Sequence, residues 1–356
     1  MAISPDVLAS ALQELMPGYS ELFVKWHPIL EKVVDKGNID RSVASGPYRE
    51  FVVVTDGPGT VTQILTGSEV IAGGRNQNAI RGSTYAPRLI YAFDVPGKDL
   101  AEANGAMDLA RIIQHYPELA LGDFHERIAR QMAVGDGLDV GGFLTLNGNT
   151  TYNPNGAARS GALEFAAPAA QVNTVFGLPK PATTGWANQY GAITSFAVDG
   201  LSTLRQAYYA ASRQGKTMGP VDLLLGDEAS YLNYIEDLND FVRVSKVEGD
   251  KAPPNIRQGV KFLDADFYLE DALDINAAAF AGSPAANGCV YMMKSASWYA
   301  YTMGHDANRE TKGDFAVRGP FRIPEQDVFR YEIVLNMGMN TNQLRCNAVV
   351  TGGAIP

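Results

Sequence analysis

The sequence is poor in the groups that most catalytic and metal chemistry needs. Among 356 residues there are two cysteines, Cys289 and Cys346, and four histidines, His27, His115, His125 and His305. No CxxC pair occurs, so a disulfide framework is excluded. A zinc site would have to gather histidines that lack any HxxxH or HExxH spacing. Two buried free thiols is the plainer reading of the cysteines. No apolar run of about 18 residues is present. The opening MAISPDVLASALQELMPGYS has neither the basic start nor the continuous apolar stretch of a secretory signal. The expectation is a soluble protein made in the cytoplasm and kept reduced there.

Positive charge is also short. Against 39 Asp and Glu stand 29 Lys and Arg, a net charge of -10. A general nucleic-acid binder needs a basic surplus to neutralise phosphates, so grip on nucleic acid is not the main business of this chain. The nearest approach to a phosphate loop, Gly215-Lys216-Thr217, has Ala210 where the Walker pattern requires glycine, and a helix precedes it where a strand should. It reads as a helix end with a basic tail. The loop Asp136-Gly137-Leu138-Asp139 lacks the ligand order of a calcium site. No Gly-x-Ser-x-Gly elbow and no Cys/His pairing marks a nucleophile. The chain is read as having no catalytic residues, no cofactor and no metal, and as not being an enzyme.

What is present is a globular composition, 46% hydrophobic and 19% charged. It is long enough for two or three compact units at roughly 100–200 residues each. Residues 5–36 read as a short helical arm, with Val7, Leu8, Ala11, Leu12 and Leu15 at helical spacing, a break at Pro17-Gly18, and a second stripe through Phe23, Trp26, Ile29, Leu30 and Val33. Such a helix pair has no body of its own and needs something larger to lie on. Tyr48–Thr55 and Arg88–Val95 are rich in β-branched and aromatic residues and are expected to form a long two-stranded arrangement. About thirty residues full of turn formers separate them, an excursion unusual in a compact domain.

From Lys98 to Val134 the period becomes helical. After a break at Tyr116-Pro117, the stripe Leu121, Phe124, Ile128 and Met132 predicts the longest amphipathic helix in the chain, ended by Gly135 and Gly137. Residues 138–197 are rich in Gly, Ala and Asn, and no periodicity places more than short strands there. Asp199 is expected to cap a helix bearing Leu201, Leu204, Tyr208 and Ala211, closed by Gly215. Val221–Leu225 then reads as a buried strand, and Asp227 caps a second helix with Tyr231, Ile235, Leu238 and Phe241. Cys289–Met293, Trp298–Met303, Val328–Leu335 and Leu344–Val350 complete the chain as strands, and the alternation at Val328–Ile333 implies one wet face.

Charge is unevenly placed. Between Val70 and Arg88 there are three arginines, Arg75, Arg81 and Arg88, and no acid. Between Lys98 and Val134 there are six acids, Asp123 and Glu126 among them, against four bases. The basic stretch and the acidic helix suit docking between copies through complementary fields. The alternative, that both are simply solvated, stays open. The stretch Gly73–Gly82 could cradle an anion on backbone amides, but no helix start follows it, and contact with another protein is preferred.

The order of these parts resembles the Hong Kong 97-type capsid fold of tailed-phage major capsid proteins. Leu119–Gly135 (LALGDFHERIARQMAVG) looks like that family's spine helix. Leu201–Leu225 with the following Gly226–Tyr231 looks like its A-domain helix, strand and capped helix. Val290–Lys294 through Trp298-Tyr299 is similar to its late strand. The resemblance implies an α+β chain with an N-terminal arm (1–45), an extended E-loop (46–97), a P domain with spine helix (98–137, completed by part of 305–345), an A domain (138–304) and a C-terminal strand end (346–356). It implies a subunit that assembles with itself into pentamers and hexamers of an icosahedral head enclosing double-stranded DNA. Scaffolding, portal and decoration proteins would be partners, and the virion its location, with no membrane association. Some members cross-link through lysine and asparagine; no matching trio is identified here. The rival readings are another virion component, such as a tail-tube or head-decoration protein, and an enzyme with its site in 142–197.

Overall fold

The computed structural model describes residues 39–40, 48–54, 79–85, 88–98, 174–179, 186–215, 218–239, 260–270, 290–302, 315–324 and 326–351, with the single positions 28, 32, 115, 119, 122, 123 and 273. Within them the strands are β1 (Ile39–Asp40), β2 (Tyr48–Val54), β3 (Ala79–Tyr85), β4 (Arg88–Pro96), β5 (Thr174–Val175), β6 (Leu178–Pro179) and β7 (Gln189–Ala192). These are followed by β8 (Leu223–Gly226), β9 (Val260–Phe262), β10 (Ala265–Leu269), β11 (Val290–Met293), β12 (Trp298–Thr302), β13 (Phe315–Arg322), β14 (Val328–Thr341) and β15 (Ala348–Thr351). Two long helices are described, α1 (Leu201–Gln214) and α2 (Glu228–Asn239).

Among the described residues the strands form two main sheets. One has six strands in the order β7-β15-β11-β8-β10-β9; the other runs β1-β12-β14-β13, with β4 also paired to β14. In the six-stranded sheet β8 and β11 are apolar at nearly every position and all their residues are buried. That is the pattern of strands covered on both faces. On one face α1 and α2 close a core of Leu204, Tyr208, Ala211, Tyr231, Tyr234, Leu224, Phe267, Val290, Met292 and Val350. Tyr234 meets Phe262 and Phe267 at centroid distances of 5.7 and 5.2 Å, and its hydroxyl donates to the Lys261 carbonyl at 2.9 Å. Burial pushes that hydroxyl up to about 12. On the other face Leu223, Leu225, Tyr291, Met293 and Val349 are buried too, and Lys32 sits 5.1 Å over the ring of Tyr268.

The helix–strand–helix unit expected from the sequence is therefore present, with one correction at each end of α1. Asp199 does not cap the helix from in front. It lies within a π-helical turn, Phe196–Gly200, and its carboxylate reaches back to accept from the Thr194 N–H at 3.1 Å and the Ser195 N–H at 3.2 Å. The carboxylate thus serves donors that precede the turn, and these bonds hold the Asp199 carboxyl below the usual aspartate range. Gly215 ends α1 as expected but in the right-handed region, φ -67°. Glycine is needed there because a Cβ would run into the carbonyl oxygen of Gly219. Asp227 caps α2 in the expected way, accepting from the Ser230 N–H at 3.1 Å while fully buried.

A larger correction concerns the expected two-stranded arrangement. The partner of β2 is β3, in register Tyr48↔Tyr85 through Val54↔Ala79. Arg88–Pro96 instead pairs with β14 over nine positions, Arg88↔Asn336 through Pro96↔Val328. The apolar face decides this. Phe93 and Val95 are buried and need a hydrophobic partner, which β14 supplies; Phe93 lies opposite Tyr331 and stacks on it at 5.6 Å. In β3 the glycine at 82 leaves room for the Phe51 ring, whose nearest atom would be 3.1 Å from an added Cβ.

The two sheets share chain. β11 passes through a short 3-10 turn, Ser295–Ser297, into β12; β14 passes through another, Leu344–Cys346, into β15. Both crossings meet at Asn347, which is fully buried. Its amide nitrogen donates to the Gln343 carbonyl at 2.9 Å and to Ser297 Oγ at 3.3 Å. Its oxygen accepts from the Lys294 N–H at 3.0 Å and from Trp298 Nε1 at 3.1 Å. Nearby, Asp222 accepts from the Ser295 N–H at 2.7 Å, from Ser295 Oγ at 2.6 Å and from Lys294 Nζ at 3.2 Å. Cys346 is a buried free thiol, as the sequence implied, and burial pushes it up to about 11; Cys289 lies outside the described residues.

Replacing Asn347 by alanine would strand the buried Trp298 N–H and the Lys294 amide together. The expected cost is about 2–4 kcal/mol in urea unfolding, with both sheets melting at lower denaturant. A loss below about 0.5 kcal/mol would show that the junction does not depend on this side chain.

Candidate functional site

No cluster of three or more His, Cys, Asp or Glu suited to a metal occurs among the described residues, and no helix among them is long and apolar enough to cross a membrane. The surfaces that carry chemistry here are the β2–β3 ribbon and the outer face of the β13–β14–β4 sheet.

The ribbon alternates cleanly. Val53 and Gly82 are buried on one face, with Phe51 and Ile80 partly covered, while Glu50, Val52, Arg81 and Ser83 are exposed on the other. Arg81 donates to Glu50 at 3.2 Å across the ladder, with side chains 82% and 63% exposed. It is a diagonal pair, since Arg81 stands opposite Val52 and Glu50 opposite Ser83. In so exposed a pair neither partner is desolvated, and both keep most of their capacity to meet another charge. The Val52 side chain, 60% exposed, adds an apolar centre to this face.

The ribbon is tied to the body at both outer edges. The Val54 N–H donates to the Asn342 carbonyl at 2.9 Å, and the Ser83 N–H donates to the Phe176 carbonyl at 3.1 Å. Phe176 belongs to the two-residue turn between β5 and β6, with φ 53° at Phe176 and φ 76° at Gly177, the pattern of a type I′ hairpin.

On the other sheet, the face opposite Phe93 and Tyr331 is charged. Arg330 stands opposite Asp94 in register and grips it with two bonds, Nε to Oδ1 at 2.7 Å and a terminal nitrogen to Oδ2 at 2.9 Å. This fork geometry is the strongest form of the pair. The hydrogen bonds from Arg330 hold the Asp94 carboxyl below its ordinary value. Glu332 stands opposite both Ala92 of β4 and Arg318 of β13, next along the same face.

Of the residues singled out from the sequence, Arg81 lies on the outer face of β3 and Arg88 begins β4. Arg81 thus belongs to a strand where a loop was expected, while Arg88 begins a strand as its sequence predicted. Asp123 is exposed in helical conformation, and the Tyr91 hydroxyl of β4 is hydrogen-bonded to it. Burial first, then the Asp123 charge, pushes the ionisation of Tyr91 upward. Arg75 and Glu126 lie outside the described residues, as does most of the predicted 98–134 helix, of which positions 115, 119, 122 and 123 are seen as helix. Residues 142–173 are likewise outside them. Sequence reasoning missed the Asp94–Arg330 clamp, although the alternation at Val328–Ile333 placed Arg330 on a wet face. It also missed the Phe176–Gly177 turn, whose signal was a glycine between two short β-branched or apolar pairs.

No family model matches the sequence, and no curated protein matches it. Solved structures do match the fold. The capsid asymmetric unit of cyanophage A-1(L) aligns with a TM-score of 0.54 at 12% identity, over 90% of this chain and 92% of that one. The capsid of an empty GTA particle gives 0.53 at 12% identity, over 91% and 90%. The holo-SrpI encapsulin complex from Synechococcus elongatus PCC 7942 gives 0.51 at 10% identity, over 89% and 84%. This chain has a Hong Kong 97-like capsid fold. At such identities the likeness concerns the fold.

The Asp94–Arg330 pair generates a pH signature. Because the folded-state value of Asp94 lies below the unfolded one, the pair's contribution is complete above the ordinary aspartate value. It is lost as pH falls through the lowered value. An Arg330→Met variant should therefore differ from wild type at neutral pH and converge with it in acid. Parallel melting curves at all pH values would show that the clamp adds nothing to the fold.

Proposed function

We propose that this chain is a shell subunit, the major capsid protein of a tailed-phage head, which assembles with itself into pentamers and hexamers around double-stranded DNA. One observation carries the reading: the fold is shared along about nine-tenths of the chain with a phage capsid, a GTA particle capsid and an encapsulin. The net charge of -10 agrees with a wall that encloses DNA without gripping it. In this reading the chain has no catalytic activity and no cofactor, its location is the virion, and scaffolding, portal and decoration proteins are its further partners. Function then resides in geometry, and modest contacts repeated by symmetry supply the stability of the whole. The encapsulin match favours a second reading, a shell around protein cargo.

Electron microscopy of the expressed full-length chain tests the reading directly. Closed icosahedral particles are the expected result; open tubes or dispersed monomers at all concentrations would refute it. DNA inside particles from the native source would support the phage head, and a protein cargo without DNA the encapsulin alternative.

The ribbon's outer face supplies a finer test. Arg81→Glu should leave subunit stability within about 1 kcal/mol of wild type, because the Arg81–Glu50 pair is exposed, yet lower shell yield at low salt. Glu50→Arg combined with Arg81→Glu restores the in-chain pair with its polarity reversed. If the double variant regains full yield, Arg81 acts only within its own subunit; if yield stays low, the face meets another copy. Reversal at Arg75 and Arg88 should add to the loss.

A further inference from the structure

We propose that the Phe176–Gly177 turn is a latch that fixes the angle of the β2–β3 ribbon against the body of the subunit. A two-stranded ribbon held at one point can pivot about it. This one is clamped edge-on at two. The outer edge of β2 is held through Val54 to Asn342, and the outer edge of β3 through Ser83 to Phe176. Val54 stands opposite Ala79, and Ser83 lies four residues further along β3. The anchors are thus separated by about 13 Å along the ribbon at about 3.3 Å per residue. Two fixed points on opposite edges define a direction.

The Asn342 anchor is continuous with the junction of the two sheets, since the Asn342 N–H donates to the Ser297 carbonyl at 3.1 Å. The Phe176 anchor is built differently. A phenylalanine at φ 53° occupies a conformation that asparagine or glycine would adopt at less cost. Its side chain explains why it is tolerated. The ring is 1% exposed and meets Phe51 of the ribbon edge-on at 5.1 Å and Trp186, itself fully buried, at 6.4 Å. One residue therefore joins the ribbon to the body twice, by its carbonyl to Ser83 and by its ring between Phe51 and Trp186. Gly177 completes the turn because its backbone lies at φ 76°, where a side chain would be strained.

The test is peptide-resolved hydrogen exchange on the full-length protein, comparing wild type with Phe176→Gly. The glycine keeps the turn backbone and removes the ring. Exchange over residues 79–85 should accelerate about tenfold or more, while α1 and the Asn347 junction stay at wild-type rates. Wild-type protection of 79–85 in this variant would overturn the latch. Should Phe176→Gly lose the fold of the body, Phe176→Leu, which keeps apolar bulk but not the edge-on ring contact, reads the same peptide; a several-fold acceleration confined to it is expected, and its absence would equally overturn the proposal. The consequence for particles rests on the shell reading: subunits with a loosened ribbon should give shells of wider size distribution. Exchange is measured on the chain whether or not it forms shells, so a failed latch and a failed shell reading give different results.

Discussion

The buried Asn347 amide, with its nitrogen donating to Gln343 and Ser297 and its oxygen accepting from Lys294 and Trp298, holds together two chain crossings that would otherwise only pass each other. Each crossing leaves a ladder at a 3-10 turn, where backbone groups lose their strand partners. Such groups cannot be left bare in a dry interior. One side chain with two donors and two acceptor sites resolves the problem for both crossings. The Asp222 carboxylate does the same for the start of the Ser295 turn. Because the chain passes between the six-stranded and five-stranded sheets at these two crossings, their relative setting depends on these bonds being satisfied together.

That setting propagates outward. Asn342 is bonded to Ser297 on one side and to the ribbon's Val54 on the other, so the ribbon takes its reference from the same junction. The Asp94–Arg330 clamp fixes β4 to β14 on the wet face, where Phe93 and Tyr331 already fix it on the dry one. Charged surface and apolar core thus agree on one register, and a slip by a single residue would break both.

The legible parts of the sequence were those where one physical signal acts alone. α1, β8 and α2 could be read because apolar spacing, the Asp227 cap of α2 and the Gly215 end of α1 agree over a short stretch. β11, β12 and β15 could be read because they are almost wholly apolar, and the start of β14 because it alternates. The ribbon's pairing was misread because Ala79, Arg81, Gly82 and Ser83 dilute the strand signal of AIRGSTY, and its pairing to β2 across about 30 residues is a cross-strand fact no local window contains. β7, with the sequence QYGA, is a strand because it lies along β15 under α1. The β9–β10 hairpin hides for a related reason, since its turn begins with Leu263 at φ 54°, without the usual glycine or asparagine. β13 is interrupted by Gly319-Pro320, which reads as a break although the ladder resumes beyond it. The Asn347 junction was invisible in principle, because a buried asparagine near the C-terminus carries no local mark of what it joins.

β14 is a single strand of 14 residues that belongs to two neighbourhoods. Its first nine residues lie between β4 and β13, and its last five pair with β12 on the way to the junction. At about 3.3 Å per residue it is a rod of about 45 Å. A force applied along that rod loads its cross-strand bonds in shear, all at once, whereas a force across it would peel them one after another. The chain has thereby acquired a tensile member running the length of its larger ladder. In any assembly that must hold pressure, the direction of β14 relative to the wall would decide whether a subunit stretches or tears.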